Sequence, residues 1–258
     1  MIVFVNESCF AFAILDPIIN SNPHCIQAIV LSTKTRNRLG PSLRIIQQCS
    51  PRYVVYRVLV DLLTRLNSFF KNKSIANLAK KHGIPILSIS NISEDKRLES
   101  MLPQDIGLII NFDQILKEKL LACFKDGVIN FHASRLPLDK GISPVLWAFA
   151  RGDSKIWGTL YSVDSGLDTG PIFEQFQLKV SKHDTAFSLY ERTCVTGGKK
   201  LCGLLNAYNE GDLKTPTSQR KLSKGQSLLG WPDHHFDQML KSSKRKLISY
   251  KDIFRVVF

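Results

Sequence analysis

The chain has 258 residues, of which 44% are hydrophobic and 22% are charged, and its formal net charge is +13. These proportions are near the average for a soluble globular protein, so they argue against disorder and against a membrane protein. The length permits one large domain or one domain with a small appendage, and we expect the second. The positive charge favours an anionic partner, such as a nucleic acid or a nucleotide diphosphate.

The basic residues are spread over separate segments of the chain, chiefly 34–44, 71–81 and 241–251. None of these segments interleaves aromatic residues as an RNA-binding module does, so a solvated surface is the simpler interpretation. The six cysteines form no C-x-x-C pair, and the apolar N-terminus lacks the basic start of a signal peptide. We therefore expect a reducing, cytoplasmic environment and no membrane span.

Short β-branched runs alternate with helical patterns along the first half of the chain. Strands are predicted at 2–5, 26–31, 84–87, 106–110 and 128–131. Helices are predicted at 10–19, 43–70, 75–81 and 115–124. Strands that alternate with helices imply right-handed crossovers between parallel strands. The expected fold class is α/β, a Rossmann-like doubly wound, mainly parallel sheet with helices on both faces.

From residue 156 onwards the pattern changes. Strands are predicted at 156–163 and 171–180, and the glycine-rich segment 164–170 joins them. A helix at 186–207 follows, opened by a plausible cap at Asp184-Thr185.

The end of the chain is predicted to be a small addition to the main domain. The polar residues 209–227 indicate a linker, and residues 231–258 are too few for an independent core. We expect a main domain over residues 1–208, followed by a linker and a small C-terminal extension over 209–258.

Polar residues end the strand predicted at 128–131, where Asn130 and His132 leave the hydrophobic run. Residues two apart in a strand point to the same face, and active sites of open α/β sheets form beyond the carboxyl ends of the strands. An amide can donate to a developing oxyanion and an imidazole can move a proton near neutral pH, so this pair suits acyl transfer. A purely structural histidine is the alternative interpretation.

The segment 164–170 adds a candidate carboxylate. Gly166 and Gly170 would let the backbone turn tightly and hold Asp168 against a site, although Asp164 is a rival. The chain contains no G-x-S-x-G, G-x-x-x-x-G-K-[ST] or G-x-G-x-x-G motif, and neither H-E-x-x-H nor a paired C-x-x-C. We predict no metal site.

Taken together, the motifs of residues 130–172 resemble those of the folate-dependent formyltransferase family. The positions that carry the resemblance are Asn130-x-His132-x-Ser134-x-Leu136-Pro137, Gly141, Pro144, Trp147, Gly158-Thr159 and Asp168-Thr169-Gly170-Pro171-Ile172. The family includes methionyl-tRNA formyltransferase, glycinamide ribonucleotide transformylase, formyltetrahydrofolate hydrolase and the sugar N-formyltransferases. The resemblance covers residues 70–205 and is faint before them.

The resemblance implies a Rossmann-like domain that binds 10-formyltetrahydrofolate and passes its formyl group to a primary amine. It implies that Asn130 and His132 polarise the formyl oxygen, while Asp168 positions His132 and assists proton removal. The folate contacts that it implies are Phe112, Gln114, Ile115, Leu116, Val163, Gly166 and Leu167. The acceptor contacts that it implies are Ser134, Lys140, Gly141 and Trp147.

Several positions depart from the family pattern. The family often has Tyr-Gly where this chain has Phe112-Asp113. In the S-L-L-P-x-Y-R-G segment, Asp139 replaces the aromatic residue and Lys140 replaces the arginine. The N-terminal G-x-x-x-F turn is replaced by residues 6–10.

The acceptor is predicted by comparison with the family's branches. Methionyl-tRNA formyltransferases generally carry a C-terminal barrel for which the residues after Glu210 are too few, and a hydrolase would have a regulatory domain before the first strand. Glycinamide ribonucleotide transformylase usually lacks the segment 43–70 and a tail like 231–258. The expected acceptor is a nucleotide-linked amino sugar, as in O-antigen biosynthesis, and the expected assembly is a homodimer. The alternatives are tRNA as acceptor, or an inactive basic RNA-binding relative.

Overall fold

A computed structural model describes residues 1–33, 47–220 and 228–257. Its strands are β1 (Ile2–Asn6), β2 (Ala28–Ser32), β3 (Ile86–Ile89), β4 (Gly107–Ile110), β5 (Val128–His132), β6 (Lys140–Gly141), β7 (Lys155–Ser162), β8 (Ile172–Lys179) and β9 (Leu228–Leu229). Seven of them form one sheet in the order β3-β2-β1-β4-β5-β7-β8, and β6 pairs with β9. The first five strands of this order run parallel, and β7 pairs antiparallel with both β5 and β8.

The helices connect these strands and cover the sheet. They are α1 (Cys9–Ser21), α2 (Pro51–Lys71), α3 (Ile75–Lys81), α4 (Glu118–Leu121), α5 (Pro144–Arg151), α6 (Ala186–Asn209), α7 (His234–Ser242) and α8 (Tyr250–Val257). Short 3-10 helices occupy Pro23–Cys25 and Lys96–Met101. The doubly wound, mainly parallel α/β class is confirmed.

The centre of the sheet explains the long apolar runs. In β1, residues 2–5 are completely buried, because a central parallel strand is covered on both faces. One face packs against α1 and α6, and the other carries a smaller cluster around Phe4 and Phe124. From β1 the strand order continues to β2 and β3 on one side of the sheet, and from β4 it continues to β5 on the other side. Where the order switches in this way, a crevice is expected at the carboxyl ends of the strands, here of β1, β4 and β5.

The helix predicted at 43–70 is interrupted where the structure describes it, because residues 47–48 are helical and residues 49–50 are not. α2 starts at Pro51, and the Ser50 side chain accepts a hydrogen bond from the backbone N–H of Tyr53. Proline fits the first turn because its missing N–H has no partner there. Residues 43–46 lie outside the described residues, so that part of the prediction is not tested.

The helix predicted at 115–124 is mostly wrong, because α4 covers only Glu118–Leu121. Cys123 and Phe124 turn back instead, and the Cys123 carbonyl accepts the N–H of Gln104. Phe124 is buried with its ring centroid 6.0 Å from that of Phe4. Packing under the sheet therefore ends the helix before its apolar pattern ends.

The C-terminal extension docks on the body through apolar side chains. Phe236 and Leu240 of α7 are buried in the main core, and the Phe236 ring stacks edge-on against Trp147. The Arg245 guanidinium donates to the backbone carbonyls of Phe149 and Asp153. The extension is docked as expected, and its division from residues 1–208 as a domain stays a prediction.

Within residues 1–33, 47–220 and 228–257, no helix is both long and apolar enough to cross a bilayer. The same residues contain no group of three or more His, Cys, Asp or Glu side chains that could hold a metal ion.

Candidate active site

The end of β5 presents two polar side chains on one face of the sheet. Phe131 is buried on the opposite face against Phe176, whereas Asn130 and His132 are half-buried. This alternation follows from the two-residue period of a strand. The carboxyl end of β5 therefore carries an amide and an imidazole side by side.

Asp168 comes to this strand end from the loop between β7 and β8. Its carboxylate Oδ2 lies 3.4 Å from His132 Nε2 and accepts the backbone N–H of Gly141 at 3.0 Å. Its Oδ1 accepts the hydroxyl of Tyr161 at 2.8 Å. The three predicted residues Asn130, His132 and Asp168 thus meet at one site, although the chain separates them by up to 38 positions (168 − 130).

The loop that carries Asp168 is tightly folded. Asp168 itself has φ +53°, a left-handed conformation that is uncommon for residues other than glycine and that aspartate adopts more readily than most. A Cβ at Gly170 would lie 1.7 Å from the Ser162 carbonyl oxygen, so only glycine fits there. The exposed Asp164, the rival carboxylate, accepts the Gly166 N–H and the Thr169 hydroxyl and so shapes this turn.

Burial sets the protonation of two side chains at the site. It lowers the pKa of His132 below 6.5, although Asp168 and Asp139 act in the opposite direction. His132 Nε2 is buried and has no hydrogen-bond partner in the described part of the chain. Burial and the neighbouring Asp168 raise the pKa of Tyr161. At neutral pH the imidazole is therefore neutral and the phenol keeps its proton.

The predicted folate contacts lie on two adjoining segments. Phe112, Leu116 and Val163 all pack on the smaller cluster under the sheet. Ile115 and Leu167 instead expose 77% and 53% of their surface, which is unusual for large apolar residues. The two segments thus combine a supported apolar base with two uncovered apolar side chains.

The polar groups of the same segments either have hydrogen-bond partners already or are buried without one. The Gln114 side chain donates to the Ser32 hydroxyl and accepts the Ile92 N–H, and the Gly166 N–H is used within its turn. Both carboxylate oxygens of Asp113 are buried without a partner among the described residues. Asp113 is one of the positions at which the sequence departs from the formyltransferase pattern.

The predicted acceptor contacts differ in how exposed they are and in what surrounds them. Ser134 is 3% exposed, its hydroxyl has no partner among the described residues, and it lines a cavity of about 390 Å³ with Arg135, Lys155 and Trp157 among other residues. Lys140 and Gly141 form β6 beside Asp168.

Trp147 has a different role from the other predicted acceptor contacts. It is 8% exposed, and its indole N–H donates to the Gly230 carbonyl. The structure thus gives Trp147 a place in the packing between α5 and the C-terminal extension.

Two site residues were not predicted from the sequence. Tyr161 lies directly across from Asn130 in the β5–β7 pair, and Asn130 Nδ2 donates to its hydroxyl at 2.9 Å. Gln219, in the segment predicted as a linker, donates to the Asp168 and Gly170 carbonyls at 3.1 and 2.7 Å. Tyr161 could have been found by pairing the strands predicted at 128–131 and 156–163, whereas nothing in the local sequence indicates Gln219.

Residues 88–204 match the sequence profile of the formyl transferase family. The matched segment contains Asn130, His132, Tyr161 and Asp168, but neither Gln219 nor the C-terminal extension.

Among curated proteins, the chain is similar to methionyl-tRNA formyltransferases. It is 32% identical to the Myxococcus xanthus protein over 142 residues, which are 54% of this chain and 46% of that protein. It is 26% identical to the Coxiella burnetii protein over 200 residues, which are 74% of this chain and 64% of that protein. The chain thus spans less than two thirds of the length of these relatives.

Among solved structures, the fold is similar to two kinds of formyltransferase. The Helicobacter canadensis N-formyltransferase, described in complex with folinic acid and dTDP-3-aminofucose, has a TM-score of 0.58 at 20% identity, covering 88% of this chain and 70% of that one. The Anaplasma phagocytophilum phosphoribosylglycinamide formyltransferase has a TM-score of 0.59 at 19% identity, covering 88% and 96%. At these identities the likeness shows the shared fold.

Proposed function

We propose that this chain, whose residues 88–204 match the formyl transferase family, transfers a formyl group from 10-formyltetrahydrofolate to a primary amine. The observation that carries this proposal is the convergence of Asn130, His132 and Asp168 at the carboxyl end of β5. These three residues lie within the segment that matches the family.

The apolar residues that follow β4 and those of the Asp168 loop suit the donor. Pterin and aryl rings are flat and largely apolar, and the exposed Ile115 and Leu167 would be covered by such a ring system. Phe112, Leu116 and Val163 would support these contacts from below. When bound, the donor supplies an activated formyl carbon, and the side chains at the end of β5 are placed to act on it.

The side chains can manage both charge changes of the reaction. As the amine forms its bond to the formyl carbon, negative charge develops on the formyl oxygen, and the Asn130 amide can donate its second N–H to that oxygen. The neutral His132 can accept the proton that the amine loses, and Asp168 can stabilise the resulting imidazolium. The proton then leaves with the folate nitrogen as the old carbon–nitrogen bond breaks.

For the acceptor we propose a nucleotide-linked amino sugar. The sequence of residues 144–148 and the aromatic tail favour this branch, and a protein with this fold is described in complex with a nucleotide-linked amino sugar. The curated sequence relatives favour methionyl-tRNA as a second candidate. The net charge of +13 suits either anionic acceptor.

The test is a panel assay with 10-formyltetrahydrofolate as donor. The acceptors are dTDP- and UDP-linked 3-amino and 4-amino sugars, glycinamide ribonucleotide and methionyl-tRNA, and release of tetrahydrofolate is followed by absorbance. We expect turnover with an amino sugar. Turnover of methionyl-tRNA alone would replace the sugar proposal, and absence of turnover with all acceptors would contradict formyl transfer.

A control separates formyl transfer from RNA binding without catalysis. If the chain is a basic RNA-binding relative, it should bind RNA tightly at low salt and lose that affinity steeply as salt increases. Strong salt-dependent RNA binding, together with no turnover of any acceptor, would favour that alternative.

A further inference from the structure

We infer that Tyr161 is a positioning residue that joins Asn130 to Asp168 and sets the direction in which the Asn130 amide donates. The inference deepens the proposed formyl transfer and rests on it. Its basis is a chain of two hydrogen bonds across neighbouring strands, formed by side chains that the sequence alone did not connect.

The strand pairing brings Tyr161 to the site. β5 and β7 are antiparallel, and Asn130 and Tyr161 are direct partners in their register. On the other side of β7, the pairing with β8 shifts between Leu160 and Tyr161. Such an irregularity bends a strand and redirects its side chains, and here it lies next to the tyrosine that reaches the Asp168 loop.

The two hydrogen bonds form a chain in which donation runs from Asn130 through Tyr161 to Asp168. Tyr161 Oη donates to Asp168 Oδ1 at 2.8 Å and accepts from Asn130 Nδ2 at 2.9 Å. A phenol has a single proton, and an ionised carboxylate can only accept, so the Tyr161 proton is committed to Asp168. The Tyr161 oxygen must then receive a donor, and only the NH₂ end of the Asn130 side chain can supply one.

This arrangement decides which atom of Asn130 can reach the reacting formyl group. An amide NH₂ has two hydrogens, and the bond to Tyr161 uses one of them. The other hydrogen, held in the same plane, remains for the developing negative charge. Rotation of the amide by 180° would turn the Asn130 carbonyl oxygen towards Tyr161, where it would face another acceptor.

With the Tyr161 hydroxyl, each carboxylate oxygen of Asp168 has its own hydrogen-bond donor. Oδ1 receives Tyr161, while Oδ2 receives the Gly141 N–H and lies beside His132 Nε2. Tyr161 is 3% exposed, and burial raises its pKa, so water does not compete for the bond and the phenol stays protonated. One oxygen of Asp168 is thereby left to act on His132.

The test is Tyr161→Phe, which removes the hydroxyl and keeps the ring. Its matched control is Tyr208→Phe, because Tyr208 also donates to a carboxylate, that of Asp126, but on an exposed surface away from the site. With the acceptor from the panel assay, we expect kcat of Tyr161→Phe to fall about 100-fold, the size of effect seen when an oxyanion donor is lost. We expect KM to change less than threefold, because the ring still packs.

The pH profile separates positioning from simple packing. Without the Tyr161 hydroxyl, the Asp168 carboxylate has one donor fewer and stabilises protonated His132 more strongly, so the acidic limb of kcat should move to higher pH. Tyr208→Phe should keep the wild-type kcat and profile. A Tyr161→Phe enzyme with kcat within threefold of wild type, or with lower kcat but an unmoved profile, would overturn the inference.

A second measurement needs no acceptor. In ¹⁵N-labelled protein, with the Asn130 side-chain signals assigned through Asn130→Asp, we expect slow hydrogen exchange of the Asn130 NH₂ in wild type and fast exchange in Tyr161→Phe. Identical exchange in both proteins would overturn the inference. If the panel finds no acceptor, formyl transfer fails while this spectrum still decides the role of Tyr161.

If Tyr161→Phe does not fold, 3-fluorotyrosine at position 161 retains the ring and a hydroxyl. Fluorine makes the hydroxyl oxygen a poorer acceptor, so the Asn130 amide should exchange faster than in wild type. Unchanged exchange in a folded fluorotyrosine protein would contradict the inference.

Discussion

The end of β5 and the loop that carries Asp168 face each other across the site, but they are held in different ways. Asn130 and His132 are directed by the register of a strand that lies within the sheet. Asp168 is held by contacts from three other elements, namely Gly141 of β6, Tyr161 of β7 and Gln219, and two of these residues lie 27 and 51 positions away in the chain. One half of the site is therefore local in sequence, and the other half depends on tertiary contacts.

The largest effects should come from removing the side chains that we propose to act in the reaction. We expect His132→Ala and Asp168→Asn each to lower kcat about 1000-fold or more, because they remove the proton acceptor or the group that stabilises it. Thermal unfolding should stay near that of wild type, and the release of tetrahydrofolate measures the loss.

The control for Asp168→Asn is Asp164→Asn. An asparagine at 164 keeps the side-chain oxygen that accepts Gly166 and Thr169, so activity should stay within threefold of wild type. Equal losses of activity in the two variants would show that activity depends on the conformation of the loop and not on the Asp168 carboxylate.

Gly170→Ala should damage the tertiary half of the site while leaving β5 intact. The new Cβ would overlap the Ser162 carbonyl oxygen, so the loop must shift and Asp168 must move with it. We expect kcat to fall about 10- to 100-fold and stability to drop by about 1–3 kcal/mol, as for other overpacked sites.

Gly203→Ala is the matched control for Gly170→Ala. Gly203 lies within α6, where a Cβ would meet nothing within 4 Å. Alanine there should raise stability by about 0.5–1 kcal/mol without changing kcat. Unchanged activity in Gly170→Ala would mean that the Asp168 loop tolerates displacement.

Gln219→Ala should have a smaller effect on the same loop. It removes two hydrogen bonds to the Asp168 and Gly170 carbonyls, each worth about 1 kcal/mol. We expect kcat to fall about fivefold to tenfold, measured with the acceptor from the panel. Ser218→Ala, at the exposed neighbouring position, should behave as wild type. If Gln219→Ala also matches wild type, the loop is held by Tyr161 and Gly141 without it.

The pH dependence should be modest near neutrality. Burial lowers the pKa of His132 below the ordinary 6.5, so the imidazole stays neutral as pH falls through that value. Activity should therefore decline only at lower pH, when His132 gains a proton and can no longer accept one from the amine. A profile of kcat/KM between pH 5 and 8, about the range in which histidine titrates, measures this. An acidic limb centred above pH 6.5 would contradict the effect of burial.

The fold class and half of the site could be predicted from the sequence because their signals are local. The β-branched run 2–5 and the two-residue period at Asn130 and His132 each depend on neighbours along the chain. The apolar run 115–124 shows the limit of such signals. Its apolar pattern indicates a helix, but the packing of Phe124 under the sheet breaks it after Leu121.

The sequence by itself determined the doubly wound sheet, the common face of Asn130 and His132, and the glycine-supported turn at Asp168. Only the tertiary structure decided that Tyr161 joins Asn130 to Asp168, that Gln219 clamps the Asp168 loop, and that Trp147 binds the C-terminal extension. The physical reason is that periodicity and turn chemistry act between residues close in the chain. Strand order and side-chain pairing are chosen by the packing of the whole molecule, which no short segment records.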